Sequence, residues 1–428
     1  MSPRVLVAGS GAICAAGKSP REIWDAVSSG RPAIRPIQQW DSAGWPVSLA
    51  GEIAAFDPRA LVEDRKLHRL LQRSDLLGLY AAARALDDSG LIGYREALEP
   101  AAAATVNDRT GVYVGMGGGS YQNEYEFFPL LTTAHGDLGA FGRELTATVN
   151  PMWLLRSMPN NVLCYIGIRH GLKGPNACLT NHSVSGSLAI AEAAAALRSG
   201  EADRALAVGH DAPIEPQMVL YYHQHGLLSA EGLWPFDARR TGSVLGEGAG
   251  ALLLETEAAA AERDATVLGE FLGSGCANEA EGLLPIRTDG DGLAGAIALA
   301  LDDAGLRPAE VGMIVAHGSG TRKSDASEAL AIRRVFGAAV PPVTAFKWAF
   351  GYPLAASAIL DSVLALAALH HGVVPGVATL RELDPDLGNL PVSALPQAPR
   401  SDVALVLNRG FGGSNTALVL RAAGRETA

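Results

Sequence analysis

Cysteine is scarce in this chain of 428 residues, and the four present, Cys14, Cys164, Cys178 and Cys276, stand far apart. None forms a CxxC pair, which argues against a zinc site or a disulfide framework. Charge is sparse as well: Lys, Arg, Asp and Glu make up 18% of the residues, and the net charge is −11. Phosphate contacts need clustered Lys and Arg, so a nucleic-acid binder is excluded. No apolar run reaches membrane-spanning length by this reading, because the most apolar late stretch, residues 355–369, is broken by Asp361 and Ser362. The first residues, MSPRVLVAGSG, hold one arginine and a short apolar run ended by glycines, a first strand and turn rather than a signal peptide. Low-complexity linkers are missing too. These absences together lead us to expect a soluble, cytoplasmic protein with neither a membrane nor a nucleic acid as partner.

What is abundant is apolar residues, 48% of the chain, enough for a large core. The length suggests about two to three domains. Short β-rich runs recur at 5–8, 112–114, 205–208, 251–254, 313–316, 403–407 and 417–420. Most are continuously apolar, as in a sheet covered on both faces, and helical patterns lie between them. The order is α/β, with parallel sheets expected. Residues 75–87 (DLLGLYAAARALD) form an amphipathic helix. Two further segments, 185–197 (SGSLAIAEAAAAL) and 354–369 (LAASAILDSVLALAAL), are small and apolar nearly all round, the mark of a helix buried inside a protein. Each follows a loop of polar or special residues, LTNHSV or KWAFGYP, and each precedes a strand. Loop, buried helix and strand thus occur twice, which suggests an internal duplication with the two helices face to face. The join falls after Glu255, giving domains 1–255 and 256–428.

Five segments carry side chains suited to chemistry. In GPNACLTNHSVSG, Ser183 starts a buried helix, where backbone N–H groups and the helix dipole favour a developing anion. Serine is equally at home there as a plain N-cap. In AHGSGT, His317 follows a strand inside a glycine-bounded turn, which suits a pocket, although a lone histidine is often structural. Asp325 and Glu328 follow at helical spacing. In FKWAFGYP, Lys347 lies among apolar residues and must snorkel or find a partner, for which Glu328 is the candidate. In NRGFGGSN the glycines permit a tight turn whose N–H groups, at Phe411 and Gly412, suit half of an oxyanion hole. PFDARRTGSVLGEGAGALLLE is a glycine-rich approach to a strand.

Together these segments resemble the elongating β-ketoacyl-acyl-carrier-protein synthases of the thiolase superfamily. The likeness runs in the family's order from VAGSGAICAAG through MPNNV to GFGGSN, over essentially the whole chain. It implies a thiolase fold: duplicated αβαβα halves in a five-layer sandwich, normally dimeric, with no cofactor and no metal. It also places the family's nucleophilic cysteine at Ser183, with Cys178 five residues too early for that role. The family's first histidine falls at His317, its acidic residue at Glu328 and its lysine at Lys347. Its second histidine becomes Tyr352, the first phenylalanine of its FGFGG loop becomes Arg409, the second is Phe411, and His182 replaces the small residue before the nucleophile.

These departures bear on activity. Serine has a far higher pKa than cysteine and needs a general base, for which His317 is favoured and His182 is the poorer candidate, since adjacent side chains usually diverge. Tyr352 donates a hydrogen bond but cannot act as a cation. Arg409 brings a permanent charge toward the acyl path, costly unless paired. The pattern most resembles chain-length-factor subunits, which pair with an active ketosynthase and do not condense. The alternative is a Ser183-dependent acyltransferase, or a ketosynthase-like enzyme that condenses with serine, using acyl-carrier-protein or coenzyme A thioesters. The expected partners are an acyl carrier protein and either a ketosynthase subunit or a second copy of the chain, with strand 205–208 central or near the dimer seam. The basic cluster Arg65, Lys66, Arg69 and Arg73 is the candidate docking site for an acidic carrier, Lys66 and Arg69 matching basic positions in the family.

Overall fold

The computed structural model describes residues 3–117 and 127–424. Its main sheet contains β1 (Val5–Cys14), β2 (Thr110–Met116), β3 (Asn176–Leu179), β4 (Arg204–Asp211), β5 (Gly248–Thr256), β6 (Gly269–Asn278), β7 (Met313–Val315), β8 (Val343–Thr344), β9 (Val403–Gly410) and β10 (Ser414–Ala422). The spatial order is β8-β7-β9-β10-β6-β1-β5-β4-β2-β3. Divided between β6 and β1, each set of five strands has the same arrangement: third, second, fourth, fifth, first. The two sets meet through a short antiparallel ladder, Val5–Val7 against Gly269–Phe271.

The sheet is mixed, not parallel as the apolar runs suggested. In the first set β2 is parallel to β3 and β4, while β4–β5 and β5–β1 are antiparallel. The second set repeats this, with β7 parallel to β8 and β9, and β9–β10 and β10–β6 antiparallel. A buried apolar run reports that both faces are covered. It is silent on neighbour direction.

Helices α1 (Arg73–Ser89), α2 (Ser185–Arg198), α3 (Asp291–Asp303), α4 (Arg322–Phe336) and α5 (Ser357–His371) complete the layers. Helix α1 covers one face of the first strand set and α3 one face of the second, while α2 and α5 pack against each other between the sets. The layers run helix, sheet, helix, sheet, helix. Glycine sets the closest approaches. Gly9 and Gly11 of β1 lie on the carbonyls of Ala85 and Ala81 in α1, and Gly273 and Gly275 of β6 lie in the same way on Ala300 and Ala296 in α3. A side chain at any of the four would overlap helix backbone. The serine between each glycine pair repeats the match: the Ser10 amide donates to Asp88 (2.8 Å) and the Ser274 amide to Asp303 (2.9 Å). Sequence follows structure here, with Gly-Ser-Gly at 9–11 and 273–275 and Leu-Asp-Asp-x-Gly-Leu at 86–91 and 301–306.

The two central helices approach closely because both are small-faced at the contact. A Cβ on Gly186 of α2 would come within 2.5 Å of the Ala355 carbonyl oxygen. With its leading turn, α5 spans Leu354–His371, long and apolar enough to cross a membrane by length and composition. That corrects the expectation that no run reaches this length. Of that stretch, 83% is buried between the strand sets, so it is a core helix. Residues 205–208 lie inside β4, between β5 and β2, at the centre of their strand set. The edge beyond β2 is β3.

Candidate active site

Ser183 lies in a 3₁₀ turn, His182–Val184, that leads into α2. It is not the helix cap: Val184 holds that position, without a side-chain bond. Ser185 serves the turn, accepting from the Asn181 amide and donating to the His182 carbonyl. The Ser183 side chain points across to the other half of the fold. It is fully buried, and its hydroxyl donates to the Arg409 carbonyl at 2.7 Å. Gly410 beside that carbonyl makes room, since a Cβ there would stand 3.1 Å from Ser183 Oγ.

The histidine in contact with Ser183 is His182, with Nδ1 2.9 Å from Oγ. The sequence reading favoured His317 because adjacent side chains diverge in regular backbone. His182 escapes that rule by adopting φ +55°, a left-handed conformation that turns its ring onto its neighbour. Its Nε2 lies 2.6 Å from the Tyr222 hydroxyl, and its ring stacks on Phe411 with centroids 4.4 Å apart. Phe411 in turn stacks on Tyr222 at 5.3 Å. Burial pushes the His182 imidazole down to about 4, so it is neutral, and lifts the Tyr222 phenol well above its ordinary value.

His317 follows β7 and is held through its backbone. The amides of His317 and Gly318 donate to the two oxygens of Glu328 on α4, at 2.7 and 2.9 Å. Burial raises the Glu328 carboxyl to about 7, against the pull of these amides. The His317 ring receives the Arg409 amide at Nδ1 (3.4 Å) and meets Tyr352 edge-on at 5.2 Å. Burial, with Lys347 and Arg409 nearby, holds its imidazole well below the ordinary range. The expected Lys347–Glu328 pair does not form. Lys347 Nζ lies 3.2 Å from Asp361 on α5, with both side chains fully buried. Glu328 is committed to the backbone of the His317 turn, whereas Asp361 is the carboxylate that the course of α5 carries beneath Lys347. An acid inside an otherwise apolar helix was the available signal for such a partner.

Arg409 does not leave an unpaired charge in an acyl path. Its guanidinium donates to Asn415 Oδ1 (2.9 Å), the Ser324 carbonyl (3.1 Å) and Glu279 Oε1 (2.6 Å). Glu279 also accepts from Asn415 and from the Arg287 amide. These bonds tie the end of β9 to the residue after β6 and to the start of α4. The Gly412 amide is likewise engaged, donating to the Leu283 carbonyl at 2.7 Å, which removes it from an oxyanion hole. Tyr352, buried beside the His317 ring, donates to the Arg409 carbonyl at 3.3 Å. Burial raises its phenol, and a hydrogen bond with Ser183 partly offsets this.

A pocket opens beside this cluster, walled by Tyr222, Leu283, Leu284, His317, Tyr352 and Phe411 among others, but Ser183 is not in its wall. The structure therefore gathers Ser183, His182, His317, Tyr352, Arg409 and Phe411 in one place, with Lys347 and Glu328 in support. Lys66, just before the 3₁₀ turn Leu67–Arg69, and Arg69, at its end, are both exposed, while Leu67 between them is buried. Arg73 leaves that basic cluster: it pairs with buried Glu247 at 2.6 Å and lies over the Phe56 ring. Tyr222 and Glu279 were missed from sequence. Neither YYHQ nor ANEAEG carries a spacing that marks a pocket residue.

Comparison with known proteins agrees with this architecture. The model for the beta-ketoacyl synthase N-terminal domain matches residues 2–260, and that for its C-terminal domain matches 268–381. The tetracenomycin polyketide synthase ketoacyl synthase beta subunit of Streptomyces glaucescens is 34% identical, over 97% of this chain and 98% of that protein. Nodulation protein E of Rhizobium meliloti (strain 1021) is 31% identical, over 98% of this chain and 100% of that protein. The solved ishigamide ketosynthase/chain length factor superposes with a TM-score of 0.85 at 28% identity, covering 99% of this chain and 100% of that one. With thiolase-type strand sets and matches to both domain models, the chain belongs to the beta-ketoacyl synthase family.

Proposed function

We propose that the chain is a non-condensing ketosynthase homologue of polyketide-type biosynthesis, a chain-length-factor-like partner of an active ketosynthase in the cytoplasm. One observation carries the reading: Ser183, which the resemblance puts at the nucleophile position, is fully buried, and its hydroxyl is donated to the Arg409 carbonyl. A nucleophile must reach its substrate, and this one is fully buried and lies outside the pocket wall. Tyr352 supplies no second imidazole for enolate stabilisation. The relatives lend support, since they include a ketoacyl synthase beta subunit, and the ishigamide structure is a ketosynthase/chain length factor. The partner would be a cysteine-bearing ketosynthase or a second copy, joined through the edge of the first strand set at β3, and an acyl carrier protein would dock near Lys66 and Arg69. Intact-mass measurement after incubation with acyl-carrier thioesters tests the reading. No acyl adduct is expected, and co-expression with a cysteine-bearing ketosynthase should give a complex whose activity survives Ser183→Ala.

A second reading has its own support in the 2.9 Å contact between His182 Nδ1 and Ser183 Oγ. In an acyltransferase, His182 would take the Ser183 proton, Oγ would bond to the thioester carbonyl carbon, and the thiol would leave. An acyl-Ser183 adduct that vanishes in His182→Gln would establish it.

A further inference from the structure

Four groups form an unbroken hydrogen-bond chain across the site: Tyr222 Oη, His182 Nε2 at 2.6 Å, His182 Nδ1 to Ser183 Oγ at 2.9 Å, and Ser183 Oγ to the Arg409 carbonyl at 2.7 Å. A neutral imidazole carries one N–H, so the chain runs in one of two directions. With the proton on Nδ1, every donor has an acceptor: Tyr222 O–H to Nε2, Nδ1–H to Oγ, and Ser183 O–H to the carbonyl. With the proton on Nε2, Ser183 must donate to Nδ1. Two oxygens then face each other at 2.7 Å with no proton between them. The Tyr222 proton also loses its acceptor, because His182 is the hydrogen-bond partner of that hydroxyl among the described residues. Tyr222 is 3% exposed, so water does not readily take the vacated place. Burial keeps the phenol protonated and the imidazole neutral, which preserves these two states as the relevant pair.

We propose that Tyr222 is a positioning residue acting through His182: by donating to Nε2 it holds the ring in the Nδ1–H tautomer, so that His182 donates to Ser183 and cannot serve as its base. This deepens the reading of Ser183 as inert and rests on it. Attack on a thioester forms an Oγ–C bond, breaks a C–S bond and sends the Oγ proton to a nitrogen lone pair. Nδ1–H offers none. The chain turns a serine–histidine contact at the distance of a catalytic dyad into a strut between the two halves.

Side-chain ¹⁵N spectra of the full chain test this, with the His182 signal assigned by its loss in His182→Gln. In the wild type Nδ1 should carry the proton and Nε2 should be the acceptor nitrogen, the reverse of free histidine's preference in water. Tyr222→Phe leaves Nε2 without its donor, and the Nδ1–H fraction should fall. A wild-type Nε2–H ring overturns the proposal, as does a Tyr222→Phe spectrum unchanged at His182. Should that variant not fold, 3-fluorotyrosine, a stronger donor, must shift Nε2 in the wild type, and an unmoved Nε2 overturns it. The spectrum reads the ring whether or not Ser183 is ever acylated, so failure of this inference and failure of the non-condensing reading appear in different measurements.

Discussion

The ammonium of Lys347 lies 3.2 Å from the carboxylate of Asp361, with neither side chain exposed. Removing one member of such a pair leaves an uncompensated buried charge. Asp361→Ala should therefore destabilise the fold by about 3–5 kcal/mol. Replacing both at once, Lys347→Met with Asp361→Leu, should recover most of that loss. Urea denaturation of the two variants measures both quantities, and a wild-type midpoint for Asp361→Ala would show that the pair contributes nothing.

Glu328 gives a pH signature. Its carboxyl is raised to about 7 by burial, whereas in the unfolded chain it titrates near 4.5. Between those values the unfolded chain has released the proton and the folded chain still holds it, so rising pH favours unfolding. Relative to Glu328→Gln, the wild type should lose roughly 2 kcal/mol between pH 5 and pH 8. Parallel stability curves for the two proteins across that range would place the Glu328 carboxyl in water.

Much of the fold was legible because its constraints are local. Residues 185–197 and 354–369 are apolar nearly all round, and they form the two central helices. The duplication was legible in outline, but its sharpest marks, Gly-Ser-Gly and Leu-Asp-Asp-x-Gly-Leu, were overlooked although both are plain in the sequence. The site was harder. The family resemblance grouped Ser183, His317, Tyr352 and Arg409, and of these the structure puts His317, Tyr352 and Arg409 in the pocket wall and Ser183 behind it, while their partners depend on backbone details. A positive φ brings His182 onto Ser183, and Glu279, 130 residues before Arg409, neutralises its charge. Sheet direction was misread for a related reason: burial of a strand is written in its residues, and the direction of its neighbours is not.

The proposed carrier surface separates by exposure. Lys66 and Arg69 are exposed, while Arg73 is bound to Glu247. Reversing Lys66 and Arg69 to Glu should weaken binding of an acidic carrier by roughly tenfold at low salt, and by less as ionic strength rises. Fluorescence anisotropy with labelled carrier protein reads the change. Equal affinities for wild type and double variant at low salt would move docking elsewhere.

Ser183→Cys asks whether one atom separates this site from a working condensing enzyme. A thiol ionises far more readily than a serine hydroxyl, and the start of α2 favours the anion. Slow acyl trapping at Cys is therefore expected. Elongation requires more. By the resemblance Tyr352 takes the place of the family's second imidazole, and Ser183 is fully buried beside the stacked rings of His182 and Phe411. General acid–base and electrostatic contributions of the missing kind are each worth about 10²–10⁴ in rate. Mass spectrometry should show acyl-Cys accumulating over hours with little extended product after malonyl-carrier is added. Tyr352→His added to Ser183→Cys should raise condensation above that of the single variant, because it restores the imidazole beside His317. Brisk elongation by Ser183→Cys alone would mean that Tyr352 and the aromatic stack are compatible with condensation, and the serine would then be the sole block.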